Sequence, residues 1–143
     1  MNEKWILLVE DNIDDEVLTL RALSQGQIVH TAQVVRDGQE ALDYLFYEGN
    51  FSNRPVGNPQ LILLDLKLPK VDGLEVLRRV RADESTKRIP VVMLTSSQQE
   101  KDIAASYAGG ANSYLVKPVD MEQFKQAIQN VLLYWVGLNR GME

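Results

Sequence analysis

Leu61-Ile-Leu-Leu-Asp65 decides the fold: four apolar residues run straight into a lone aspartate. A run of that length, without polar alternation, suits a strand covered on both faces, as in a parallel sheet flanked by helices. Working outward, three more runs share the form. Trp5-Ile-Leu-Leu-Val9 runs into Glu10-Asp11, Val91-Val-Met-Leu94 into Thr95-Ser96, and Tyr114-Leu-Val116 into Lys117-Pro118. A weaker strand, His30–Val35, leads to Asp37-Gly38.

Helical spacing fills the intervals. Asn12 is predicted to cap a first helix, with Asp14 and Asp15 in its first turn and a stripe of Val17, Leu18, Leu20 and Leu23. Ala41, Leu42, Leu45 and Phe46 form a second stripe, and Leu74, Val76, Leu77 and Val80 a third that begins near Gly73. Ser97 with Glu100 has the spacing of a capping box for a fourth helix, which Gly109-Gly110 ends. Asp120 with Gln123 caps a fifth, striped by Phe124, Ile128, Val131 and Trp135. Alternating strands and helices without an internal repeat predict an α/β, doubly wound open sheet. Right-handed crossovers then gather every strand C-terminus on one edge, where such sheets bind ligands. Residues 47–60, rich in Gly, Asn and Pro, make a long loop before the third strand. A surface insertion is the default there; a partner-contacting loop is the alternative.

Bulk properties narrow the class. A chain of 143 residues holds one domain with one sizeable core. Its apolar stretches fall far short of the ~20 residues of a membrane helix. Met1-Asn-Glu-Lys4 leads straight into a strand, so no signal peptide is expected, and the absence of cysteine removes disulfides and thiolate metal sites. A cytoplasmic setting fits. A net charge of -5 argues against binding a nucleic-acid backbone as the main task.

The shared edge would collect Glu10, Asp11, Asp65, Thr95 and Lys117. Carboxylates from two strand ends suit a hard cation such as Mg²⁺, which takes one or two carboxylates, waters and phosphate oxygens. Asp65, alone at the end of the most apolar strand, suits a nucleophile toward phosphorus. Lys117 would offer the phosphoryl group a point charge and Thr95 a hydroxyl. Any one of these residues alone would be a cap or a solvated side chain. Their joint placement is the signal.

Glu10-Asp11, Asp65, Leu68-Pro69 with Asp72-Gly73, Thr95 and Lys117-Pro118 together resemble the receiver domain of two-component response regulators, along nearly the full length. The resemblance implies a flavodoxin-like (βα)5 sheet in the order 2-1-3-4-5, as one receiver domain over residues 1–143 with no output domain. It implies that Asp65 accepts phosphate from the phosphohistidine of a sensor kinase. Mg²⁺ would be held by Asp11, Asp65 and the backbone carbonyl of Lys67, with Glu10 helping. Lys117, Thr95 and Ser96 would bind the phosphoryl group; Thr95 and Tyr114 would switch; and the Lys117-Pro118 peptide would be cis, which proline permits. Such a protein catalyses its own phosphorylation and dephosphorylation and is not otherwise an enzyme.

Two departures stand out. The acid pair is Glu-Asp where Asp-Asp is commoner, and Glu10 has the longer reach. Lys67 and Ser97 flank the site at positions that vary in the family and tune dephosphorylation; Lys67 either contacts the phosphoryl group or points to solvent. His30 reads as structural, and Arg78, Arg79 and Arg81 as a solvated basic turn. Tyr134, Trp135, Val136 and Leu138 give the last helix excess apolar bulk, either core cover or a dimer surface.

The output would run from Thr95 through Tyr114 to the face of the fourth helix, last strand and last helix, altering dimerisation or docking. The long loop, Arg36-Asp37-Gly38 and Tyr134-Trp135 also resemble stand-alone regulators paired with phytochrome-type kinases. An intermediate carrier in a multistep relay is the alternative. An aspartate-nucleophile phosphatase is a rival that would want a second acid where Lys67 stands. A nucleotide or flavin binder lacks its glycine-rich turn, and a degenerate receiver is opposed by intact Asp65 and Lys117.

Overall fold

Successive residues of the central strands point to opposite faces, and each face is sealed by its own pair of helices. The computed structural model describes residues 4–26, 30–117 and 120–140. The strands are β1 (Trp5–Val9), β2 (Thr31–Val35), β3 (Leu61–Leu64), β4 (Val91–Thr95) and β5 (Ser113–Val116). The helices are α1 (Ile13–Ser24), α2 (Gly38–Leu45), α3 (Gly73–Ala82), α4 (Glu100–Ala108) and α5 (Met121–Leu132), the last continuing through a wider turn over Leu133–Leu138. All strands are parallel in the order β2-β1-β3-β4-β5, as the resemblance implies.

Leu7, Val9, Ile62, Leu64, Val91 and Met93 face α2 and α3, whereas Ile6, Leu8, Leu61, Leu63, Val92 and Leu94 face α1 and α5. All twelve are 0–1% exposed, so the three central strands are dry on both sides. At about 25 cal/mol per Å² of apolar surface removed from water, this double burial is the main stabilising term. The strand order reverses between β1 and β3, and their C-terminal ends flank the crevice.

Two glycines let the loop after β3 close on that crevice. A Cβ on Gly73 would lie 2.3 Å from the Asp65 carbonyl, and one on Gly38 would lie 1.7 Å from the Val71 carbonyl. Both positions require the missing side chain, because backbone leaves no room for one.

Three local expectations are corrected. Val17 is 46% exposed, and α1 buries Thr19, Ala22 and Leu23 instead, with Leu18 and Leu20 half-buried. The buried spacing of 19, 22 and 23 turns the helix away from Val17. The Ser97–Glu100 capping box does not form: Gln99 occupies the cap position without a side-chain bond, and the Ser97 hydroxyl goes to Asp102. In α5 the buried stripe is Phe124, Ile128, Leu132 and Val136, with Val131 and Trp135 packed partly against it. Asn12, Asp37, Asp72 and Asp120 all cap their helices through side-chain oxygens.

Residues 47–60 are tied down. The Arg54 guanidinium lies 4.0 Å over the rings of both Tyr44 and Tyr47, and donates to the carbonyls of Tyr44, Pro55 and Gly57. Cation–ring attraction and backbone bonds give the loop a fixed course. Among the described residues no helix is long and apolar enough to cross a membrane.

Candidate functional site

Sheet hydrogen bonding runs one residue beyond three strands and pins the polar residues that follow them. Glu10 N–H donates to Val35 O (3.0 Å), Asp65 N–H to Val9 O (3.2 Å), and Lys117 N–H to Thr95 O (2.8 Å). The candidate groups therefore stand on the rigid end of the sheet.

Lys117 is the centre. Its Nζ donates to Glu10 Oε1 at 2.7 Å, Asp15 Oδ2 at 2.9 Å and Asp65 Oδ2 at 3.2 Å. An ammonium has three N–H bonds, and each finds a carboxylate. Glu10 and Asp65 are buried, at 1% and 8% exposed, while Asp11 is exposed. Oxygens of Glu10, Asp11 and Asp65 all lie within 4.8 Å of one another.

Charge balance follows from that geometry. Burial pushes the Glu10 carboxyl up to about 7; the Lys117 hydrogen bond opposes this, and the Asp65 charge adds to it. Burial also disfavours charge on Lys117, but the bonds to Glu10 and Asp15 and the Asp65 charge outweigh it and raise its pKa. One ammonium faces the carboxylates of Glu10, Asp15, Asp65 and the nearby Asp11, so negative charge is in excess. A divalent cation with oxygen preference fits this donor set. Glu10, Asp11 and Asp65 could hold it, and the Lys67 carbonyl lies on the loop that leaves Asp65.

Thr95 ends β4 fully buried, its Oγ1 accepting the Ser97 N–H at 3.4 Å. Ser96 is exposed beside it. Tyr114 on β5 is half-buried and donates its hydroxyl to the Ser97 carbonyl at 3.0 Å. Lys67 donates its N–H to Asp65 Oδ1 at 3.3 Å, and its side chain is largely exposed to solvent, one of the two courses left open by the sequence. The ammonium lies 3.8 Å from Asp102 Oδ2. Pro118, the expected cis-proline, lies outside the described residues.

Sequence reasoning missed two carboxylates. Asp15 was assigned only to the first turn of α1, yet it continues the buried stripe of Thr19, Ala22 and Leu23 at helical spacing. Asp102 is 7% exposed on α4, and no pattern of apolar residues marks that polar face.

Residues 6–129 match the response regulator receiver domain. The chain belongs to that family. It is 42% identical over 136 residues to the probable methanogenesis regulatory protein FilR2 of Methanothrix harundinacea, covering 94% of this chain and 85% of that one. It is 41% identical over 133 residues to the response regulator Rcp1 of Synechocystis, covering 93% and 89%. The Mn(2+)-bound form of Rcp1 superposes with a TM-score of 0.89 over 98% of this chain and 99% of that one. The phosphorylated cyanobacterial phytochrome response regulator RcpA superposes with a TM-score of 0.91 at 41% identity, over 99% and 100%. This receiver is thus a two-component signalling protein of the kind that partners sensor histidine kinases, related to phytochrome response regulators.

Proposed function

We propose that Asp65 is the phosphoacceptor of a single-domain response regulator, served by a phytochrome-type histidine kinase. A carboxylate oxygen of Asp65 attacks phosphorus of the kinase phosphohistidine. The P–N bond breaks as the O–P bond forms, and the imidazole, already protonated at its other ring nitrogen, leaves neutral with the electron pair. Lys117 carries the reading, because its ammonium already sits 3.2 Å from Asp65 and can follow charge onto the phosphoryl oxygens. Bound Mg²⁺ would neutralise the phosphoryl oxygens and the excess carboxylate charge. Glu10, Asp11, Asp65 and the Lys67 carbonyl would hold it.

The downstream part of the reading runs through Thr95, Ser96 and Tyr114. Thr95 and Ser96 would turn toward the phosphoryl group, freeing space that Tyr114 follows. The face of α4, β5 and α5 would then change its association. Leu133, Tyr134 and Leu138 support a dimer surface there, being 47%, 50% and 63% exposed on the terminal turns. The likeness to RcpA, a phytochrome response regulator, supports a phytochrome-type partner.

Phosphorylation by a small acyl phosphate with Mg²⁺ tests the acceptor. One phosphoryl group per chain is expected, labile to base and to hydroxylamine as an acyl phosphate is, and lost in Asp65→Asn and without added metal. Equal labelling of Asp65→Asn rejects the assignment. Sedimentation with and without beryllofluoride tests the change in self-association, which an unchanged mass would rule out.

A further inference from the structure

Asp102 Oδ2 joins both shoulders of the site. It accepts the Ser97 hydroxyl at 2.5 Å and lies 3.8 Å from Lys67 Nζ. Lys67 stands two residues beyond Asp65 with its N–H on that carboxylate, and Ser97 stands two beyond Thr95 with its N–H on the threonine oxygen. The Ser97 carbonyl also anchors the Tyr114 hydroxyl. One buried carboxylate on α4 therefore touches the loops that carry the acceptor and the switch.

We propose that Asp102 is a positioning residue that holds the Lys67 ammonium away from Asp65 until a phosphoryl group on Asp65 draws it off. The inference rests on Asp65 being the acceptor. The Lys67 side chain is 72% exposed, so its long arm is free to swing. An exposed lysine at 3.8 Å is held weakly. Phosphorylation replaces the single charge of the Asp65 carboxylate by nearly two on the phosphoryl oxygens, within reach of the same arm. Once Lys67 leaves, the Ser97 hydroxyl is the one side-chain partner left to the buried Asp102 charge among the described residues, a state that favours rearrangement. Ser97 and the start of α4 readjust, and the Tyr114 anchor moves with them. Charge at Asp65 thereby reaches β5 by an exchange of ion-pair partners.

The test is the affinity of beryllofluoride for the full chain with Mg²⁺, in the unmodified protein, Asp102→Asn, Lys67→Ala and the double variant. Asp102→Asn is expected to tighten binding about threefold or more while Lys67 is present, and far less in Lys67→Ala. Asp102→Glu restores the unmodified affinity. Equal changes in both backgrounds overturn the inference, since simple removal of a negative charge gives that result. Failure of the unmodified chain to bind the mimic overturns the acceptor assignment and this inference together. Binding with an additive cycle overturns this inference alone. The Asp102 carboxyl ¹³C resonance reads the same event without a change at Asp102. It shifts on adding the mimic to the unmodified chain and stays in Lys67→Ala; equal shifts in both overturn the exchange.

Discussion

Asp15 Oδ2 and Lys117 Nζ are 2.9 Å apart, which makes α1 a wall of the site as well as cover for the sheet. Asp15 takes the one N–H of Lys117 that Glu10 and Asp65 leave over. It fixes the rotation of the ammonium, so that the bond aimed at Asp65 is already directed.

Asp15→Asn should therefore slow phosphorylation of Asp65 by a small acyl phosphate. The Asp15 side chain is 36% exposed, so its bond is worth about 1 kcal/mol after solvent screening, or roughly fivefold in rate. Phosphorylation kinetics at saturating Mg²⁺ would show this, and an unchanged rate would exclude the positioning role.

Lys117→Ala should destabilise the metal-free protein at neutral pH. Its removal leaves Glu10 and Asp65 buried without a counter-charge, a loss of about 3 kcal/mol. Mg²⁺ should return part of that stability by supplying charge at the same point. Urea denaturation with and without Mg²⁺ measures both effects. Because the Lys117 pKa is raised, its contribution is complete below the ordinary lysine value and is lost only as pH climbs through the higher folded value.

Metal affinity should depend on pH through Glu10. In the folded metal-free protein this carboxyl is raised from 4.5 to about 7, so it binds its proton more tightly than in the unfolded chain. Its contribution to metal-free stability is full below pH 4.5 and is lost as pH rises through about 7. Metal binding has the opposite dependence, because it favours the ionised group and releases the proton. Mg²⁺ affinity should rise with pH to about 7 and then level, and Glu10→Gln should flatten that rise. Titration calorimetry across pH decides; a slope retained in Glu10→Gln would assign the proton elsewhere.

Gly73→Ala should damage fold and site together. The new methyl would meet the Asp65 carbonyl at 2.3 Å, and neither the strand end nor the helix start has slack. A loss of about 2 kcal/mol or more is expected, with weaker Mg²⁺ binding as the Asp65 backbone shifts. Thermal unfolding and metal titration of the same sample check it.

Strand periods, the caps Asn12 and Asp120, and the chemical sequence of acid pair, aspartate, threonine and lysine were legible from the chain. Leu61–Leu64 had to be a covered strand because nothing in it tolerates water, and Asp65 had to stand at its end. Those properties are local: they follow from residues adjacent in sequence and from the strand and helix periods. Asp15 as a partner of Lys117 and Asp102 as the partner of Lys67 were not legible, because each depends on the rotation of a helix about its own axis. Burial of Thr19 and Ala22 turns Asp15 toward Lys117, and α4 packs a polar face that brings Asp102 to Lys67 and Ser97. Local pattern chose which groups arrive at the sheet edge, while tertiary packing chose which carboxylate each ammonium meets.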